Sequence, residues 1–239
     1  DSGSINGANN HFTGTSRSTD SGGSWTDQGT LLNSANGDAG DPVFARSAAT
    51  GTVILATLGF SNANSLPIFR STDNGATWLA PGNGAVATPG GNHDKEWGAA
   101  DNFGGAGNGK FYMFWRDFGT TPGMSFTRSL DDGITWSDRL LLATGGQGAQ
   151  VAVGADHAVY CMWFQSTPTR NLVVRKSTDL GVSFAPLVNA TTILSTGSNG
   201  DLALGGGFRT SVFPQLIAHP TDATQLYAVW PDNPAGADK

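Results

Sequence analysis

An eight-residue pattern occurs four times in this chain, and the distance between its copies limits the folds open to it. The copies are Ser18 to Trp25 (STDSGGSW), Ser71 to Trp78 (STDNGATW), Ser129 to Trp136 (SLDDGITW) and Ser177 to Phe184 (STDLGVSF). Each places Ser first, Asp third, Gly fifth, Ser or Thr seventh and an aromatic residue eighth. The Asp residues at the third place, Asp20, Asp73, Asp131 and Asp179, are separated by roughly 50 residues, a period that signals propellers, solenoids or arrays.

Turn physics explains the residue types. An Asp accepts hydrogen bonds from backbone N–H groups a few residues on, and a Gly two places later takes the positive φ of a tight turn without steric cost. The aromatic residue then re-enters a strand and packs on the body of the repeat, where it buries a large apolar surface. Each copy is therefore predicted to be a self-fastened β-turn between two strands.

The segments between copies read as strands. Val43 to Arg46 and Thr52 to Phe60 flank a Thr50-Gly51 hairpin signal, and Leu66 to Arg70 leads into the second copy. The order strand, strand, strand, turn, strand makes one four-stranded antiparallel sheet. It returns from Asp94 through Phe111 to Trp115 and Met124 to Arg128, and again through Ala149 to Val153, Ala158 to Phe164 and Leu172 to Lys176. At the ends the pattern is cut in half. Residues 11–32 offer only a third strand, a turn and a fourth strand, whereas residues 209–232 offer only a first strand, from Val212 to Ala218, and a second, from Gln225 to Trp230. Helical periodicity is nowhere convincing, so the fold class is all-β.

The pattern S-x-D-x-G-x-[ST]-[WF] resembles the Asp-box, or BNR repeat, of sialidase-like β-propellers. Asp94-Lys95-Glu96-Trp97 and Arg209-Thr210-Ser211-Val212-Phe213-Pro214 resemble segments of secreted bacterial proteins of the same group. The resemblance implies a single β-propeller domain over residues 1–239, built of four-stranded antiparallel blades, with the boxes on the face away from substrate. Two arrangements of the ends are open. They share a blade and close a four-bladed ring, or the chain belongs to a larger ring of about six blades, completed by missing blades or other chains; the second is preferred. The resemblance also implies an extracellular or secreted protein whose partner is a glycan or glycoconjugate.

Composition removes other classes. The formal charge of −6, with charged residues at 13%, leaves no basic stripe for nucleic acid. No apolar run approaches the roughly 18 residues of a membrane span. The lone Cys161 lies in the apolar run from Ala158 to Trp163, which predicts a buried, inert thiol and no disulfide framework.

In such a blade the first strand begins, and the second ends, on the face opposite the turn. Polar residues at those positions form the candidate rim: Asp41; Asp94, Lys95, Glu96, Arg116 and Asp117; Gln147, Gln150 and Gln165; Arg209 and Asp232. Arg116 and Arg209 suit a bidentate grip on a carboxylate, or ion pairs with neighbouring Asp residues. Glu96, the one Glu in the chain, is an acid/base candidate or the partner of Lys95 or an Arg. Asp41 and Asp94 are candidate acids. They are better read as caps on loop N–H groups than as Ca²⁺ ligands, since no contiguous calcium-loop spacing is present and no cofactor is expected. The four His residues show no metal-ligand spacing. Trp97, Trp115, Trp163 and Trp230 are read as core, and the shared offset of Arg17, Arg70 and Arg128 from the turns as a repeated structural role.

By resemblance, Arg116 and Arg209 stand for two of the arginines of a sialidase, and Asp94 or Asp41 for its acid/base. The nucleophilic Tyr does not transfer, because Tyr112, Tyr160 and Tyr227 all lie within strands, and the Phe-Arg-Ile-Pro motif is absent. Three functions follow as expectations: an exo-sialidase-type glycoside hydrolase, a non-catalytic glycan- or protein-binding propeller, and a structural module of a larger extracellular assembly.

Overall fold

A computed structural model describes residues 11–31, 37, 38, 40–59, 66–85, 91–208 and 210–233. Among these residues, three antiparallel sheets have four strands each in sequential order. The first holds β3 (Val43–Arg46), β4 (Val53–Ala56), β5 (Pro67–Ser71) and β6 (Gly82–Asn83), following a two-stranded sheet of β1 (Gly14–Arg17) and β2 (Thr26–Thr30). The second holds β7 (His93–Ala100), β8 (Phe111–Asp117), β9 (Gly123–Ser129) and β10 (Leu140–Ala143). The third holds β11 (Gln147–Val153), β12 (Val159–Gln165), β13 (Asn171–Ser177) and β14 (Val188–Thr192), and a two-stranded sheet of β15 (Gln215–Ala218) and β16 (Leu226–Val229) ends the series. Val212 to Pro214, expected as strand, precede β15 as irregular chain; the Val212 amide bonds back to the Gly200 carbonyl at 2.7 Å instead of joining a ladder.

The sheets stack face to face because their second strands are apolar on both sides. In β8, Phe111, Met113 and Trp115 pack toward the first sheet, while Tyr112 and Phe114 pack toward the third. This is the period of two that a strand buried on both faces requires. In β12, Cys161 and Trp163 join the core shared with the second sheet, whereas Tyr160 and Met162 meet Leu216 of β15. Cys161 is fully buried, with its thiol pushed far up by desolvation, as an inert core residue should be. Trp115 and Trp163 are wholly enclosed, and Trp97 and Trp230 pack at the edges of the core. The innermost strands β3, β7, β11 and β15 run side by side. Among the described residues no ladder joins β16 to β1, so the two half-sheets do not unite into a shared one.

All four eight-residue turns close in the same way. Asp73 Oδ1 accepts from the Thr77 amide at 2.9 Å, its Oδ2 accepts from Thr77 Oγ1 at 2.7 Å, and Ser71 Oγ receives the Gly75 amide at 2.8 Å. Asp20, Asp131 and Asp179 repeat these contacts with Ser24, Thr135 and Ser183. The fifth-place Gly takes positive φ as expected, and so does the residue before it: Ser21, Asn74, Asp132 and Leu180. The eighth-place aromatic residue is less uniform. Trp136 is buried, but Trp25 is 67% exposed.

The arginines before the turns each clasp the next turn along the stack. Arg17 Nε donates to the Asn74 carbonyl (3.0 Å), Arg70 Nε to that of Asp132 (2.7 Å) and Arg128 Nη1 to that of Leu180 (2.9 Å), always at the fourth place. Arg70 adds Nη2 to Asp132 Oδ2 at 2.9 Å and is mostly buried. Arg70→Ala is expected to cost about 1–3 kcal/mol in urea unfolding, the scale of a hydrogen-bonded charge removed from a partly buried site.

The turn carboxylates also set an acid limit. Hydrogen bonds from the seventh-place residue, followed by that from the first-place Ser, pull Asp20, Asp73 and Asp179 from the ordinary 3.8 to about 2. A value lowered on folding means that the contribution is complete above about 4 and fades as pH falls through about 2. Unfolding midpoints measured from pH 5 down to 2 should fall steadily. Asp73→Asn should flatten part of that fall.

Candidate functional site

The first strands of the three full sheets begin with the same backbone irregularity. In β7, Asp94 lies opposite Arg116 and Trp97 opposite Phe114, so Lys95 and Glu96 together face Trp115 alone. In β11, Gly148 and Ala149 likewise face Trp163. The first bulged residue is left-handed in both, with φ of 53° at Lys95 and 73° at Gly148, and Asp41, two residues before β3, has φ of 48°. A bulge re-aims the side chains around it. Here it turns Lys95 to solvent and drives the next residue inward. The equivalent place holds an exposed Pro42 in the first sheet and a buried Ala149 in the third; in the second it holds Glu96, 2% exposed.

A carboxyl therefore occupies a buried position that the third sheet fills with the methyl of Ala149. Neither Glu96 oxygen has a hydrogen-bond partner. Burial pushes its pKa well above the usual range, with Asp41 and Asp94 adding to the rise, while its own backbone N–H and Lys95 pull the other way. Burial thus favours the neutral form of the group. Glu96 lines a cavity of about 190 Å³ together with Asp41, Lys95, Trp97, Gln150 and Phe213.

Asp94 faces a larger cleft of about 550 Å³, with Phe118, Gln147, Ser198, Thr210, Ser211 and Phe213 around it. Its Oδ2 accepts from Gln147 Nε2 at 2.9 Å, a contact between two sheets. Burial raises its pKa first and the Asp41 charge second, and Gln147 and Lys95 offset part of the rise. Phe213 borders both spaces and packs on the Gly148 bulge. Asp41 and Lys95 form a loose, half-exposed pair at 3.8 Å.

Arg116 stands opposite Asp94 with its guanidinium 4.5 Å from the Phe118 ring centre, and its buried Nε and Nη1 have no partner. Of the two readings of this residue, the ion pair is not formed. Arg139 takes the place beside Asp117 instead, at 3.7 Å. Desolvation lowers the Arg116 pKa, so an anion would be welcome there.

Other rim candidates are engaged in holding loops. Asp117 is fully buried and accepts from the Asn92 and Gly119 amides at 2.9 and 2.8 Å. Gln165 bonds Trp163 Nε1 and the Thr167 carbonyl, and Asp232 caps the Leu194 and Ser195 amides. Arg209 lies outside the described residues. Asp41 and Asp94 were read as loop caps. Asp94 bonds a side chain of the next sheet and Asp41 pairs with Lys95. No group of three or more His, Cys, Asp or Glu suited to a metal occurs among the described residues.

The residues between 197 and 213 that wall the larger cleft belong to no repeat, which is why the sequence pattern missed Ser198, Thr210, Ser211 and Phe213 as a set. Asp201 shapes that wall by accepting from the Ala203 and Thr210 amides at 2.7 and 3.2 Å. Phe118 carried no signal beyond its place two residues after Arg116.

No family model matches the chain, and no curated protein does. Solved structures do. The Hadza microbial sialidase Hz136 superposes with a TM-score of 0.57 at 22% identity, over 87% of this chain and 43% of its own. The intramolecular trans-sialidase from Ruminococcus gnavus gives 0.53 at 11%, over 84% and 66%. A protein of unknown function from Dyadobacter fermentans gives 0.53 at 16%, over 87% and 59%. The chain thus has a sialidase-like fold and spans about half the length of these structures.

Proposed function

We propose that this chain is the part of an extracellular, sialidase-like β-propeller that carries the acid side of a glycan-processing site. On this reading the four turns are Asp-boxes on the far face, residues 1–239 belong to one propeller domain, and the half-sheets are completed by further blades of the same protein or another chain. The observation that carries the proposal is Asp94, a half-buried carboxyl braced by Gln147 at the edge of a polar cleft between two phenylalanine rings. Such a group stays protonated higher in pH than an ordinary aspartate, which fits it to give a proton to a departing glycosidic oxygen.

Arg116, opposite Asp94, would place a positive charge beside the cleft that favours a carboxylate-bearing sugar. Phe118 and Phe213 would stack on the sugar's apolar face. The tyrosines favour a second reading, in which the chain binds glycans without turning them over. Tyr112 is enclosed in the core, Tyr160 lies under the Lys176 ammonium, and the Tyr227 hydroxyl bonds Gln225. None is placed as a nucleophile at the cleft. A panel of fluorogenic glycosides, sialosides included, separates the readings: turnover supports the first, saturable binding without turnover the second, and neither outcome on any glycan removes both.

A further inference from the structure

We infer that two copies of this chain join head to tail, with the β15–β16 half-sheet of one and the β1–β2 half-sheet of the other forming a single four-stranded sheet. The inference rests on the reading above, in which further blades or another chain complete the half-sheets, and narrows it to one partner. β15 and β16 are the first and second strands of the repeat, and β1 and β2 are its third and fourth. Each half therefore lacks what the other holds. Among the described residues β16 and β1 each keep one unpaired edge, and such edges recruit strands.

Exposed apolar groups match across the joint. Residues opposite one another in β15 and β16 share a face: Leu216 packs on the third sheet, whereas Ile217, Tyr227 and Val229 on the other face are exposed, Ile217 by 64%. In the first sheet, Leu55 and Phe69 pack with Leu31, which follows β2, but Phe44 of the innermost strand is 59% exposed. The joint sheet lays the first set over the second copy's Phe44. The eighth-place aromatic residues agree. Trp136 joins the core that faces the first sheet, and Phe184 meets Phe126 of the second at 4.9 Å, so each packs on the sheet before its own. Among the described residues no sheet precedes that of the exposed Trp25. The joint supplies one, the other copy's third sheet, where Val174 and the exposed Val188 pair as Phe126 and Leu140 do in the second.

The clasps between turns point the same way. Arg17, Arg70 and Arg128 each reach the fourth-place carbonyl of the next turn. Lys176 holds the matching place before the fourth turn, with no turn ahead of it, and lies on the Tyr160 ring and 3.3 Å from Asp156. Ser21, fourth in the first turn, receives no such clasp among the described residues. In the joint sheet the Ser21 carbonyl of one copy stands one sheet beyond Lys176 of the other, which is the spacing of the three clasps. The contact is heterologous, and two copies joined at both ends make eight four-stranded sheets, three full ones from each and two shared. Propellers close within that number.

Light scattering on the whole chain should give twice its mass of 24.7 kDa, falling to the single mass on dilution. Trp25→Glu disables only the β1–β2 end and Ile217→Glu only the β15–β16 end, each at an exposed side chain that the fold does not need, which circular dichroism checks. Either variant alone should be monomeric, since every joint then includes one disabled end. Their equimolar mixture should recover a dimer through the two intact ends. With one joint instead of two, that dimer should dissociate at a concentration about a hundredfold or more above that of the wild type. A wild-type chain that is monomeric throughout overturns the inference, as does a dimer that survives either substitution or a mixture that does not associate. A monomer that binds or cleaves a glycan would leave the glycan reading standing; a dimer indifferent to every glycan would remove that reading alone.

Discussion

Asp94→Asn should abolish turnover while leaving the protein folded and able to bind, with kcat reduced by about 10² to 10⁴ on any glycoside that the wild type cleaves. The amide keeps the shape of the carboxyl and its place beside Gln147 but has no proton to give. Because burial and the Asp41 charge raise the Asp94 pKa, the wild-type rate should fall as pH rises through that elevated value; the variant should lack this limb. Stability should move the other way. A carboxyl whose pKa is raised on folding costs stability above that pKa, so the variant should melt at the same temperature or higher at neutral pH. Unchanged kcat in Asp94→Asn would remove the residue from the chemistry. A fall in kcat with a lowered melting temperature would make it a structural group instead.

The parts of the molecule that repeat were legible in the sequence, and the parts that do not repeat were not. Ser, Asp and Gly at fixed places named the turns because each residue type answers a local demand, a cap or a positive φ, that any copy must meet. The apolar runs that became β8 and β12 placed their tryptophans in the core. The shared offset of Arg17, Arg70 and Arg128 was legible as structural, though not as a clasp on the neighbouring turn, since that contact joins residues more than fifty positions apart.

The bulges were hidden. A left-handed Gly148 carries a sequence signal, but a left-handed Lys95 or Asp41 carries none, and the three align only once the ladders are known. Without that register Glu96 read as an acid/base candidate or the partner of Lys95 or an Arg; with it, Glu96 is an inward group standing where the buried Ala149 stands in the next sheet. The exchange of Arg116 for Arg139 beside Asp117 was likewise invisible, because it depends on the path of the chain between β8 and β10.

Gly148→Ala should disturb both spaces at the rim from a position that touches neither carboxyl. A left-handed backbone costs an ordinary residue roughly 1–2 kcal/mol. Lys95 and Asp41 already bear that conformation in the equivalent places, so it is tolerable in itself. Gly148 differs in what lies above it: a Cβ there would come within 2.5 Å of Phe213 Cδ1 and 2.7 Å of its Cγ. The ring has to move, and it is the wall common to the Asp94 cleft and the Glu96 cavity. The expected result is a modest loss of unfolding free energy, about 1–3 kcal/mol, with a much larger loss of ligand affinity. Phe213→Ala in the Gly148→Ala background separates the two causes. Truncating the ring removes the clash, so the double variant should regain stability relative to Gly148→Ala without regaining affinity, because the shared wall is then missing. Equal affinity in wild type and Gly148→Ala would show that Phe213 does not shape the bound state, and the cleft and the cavity would then have to be treated as independent sites.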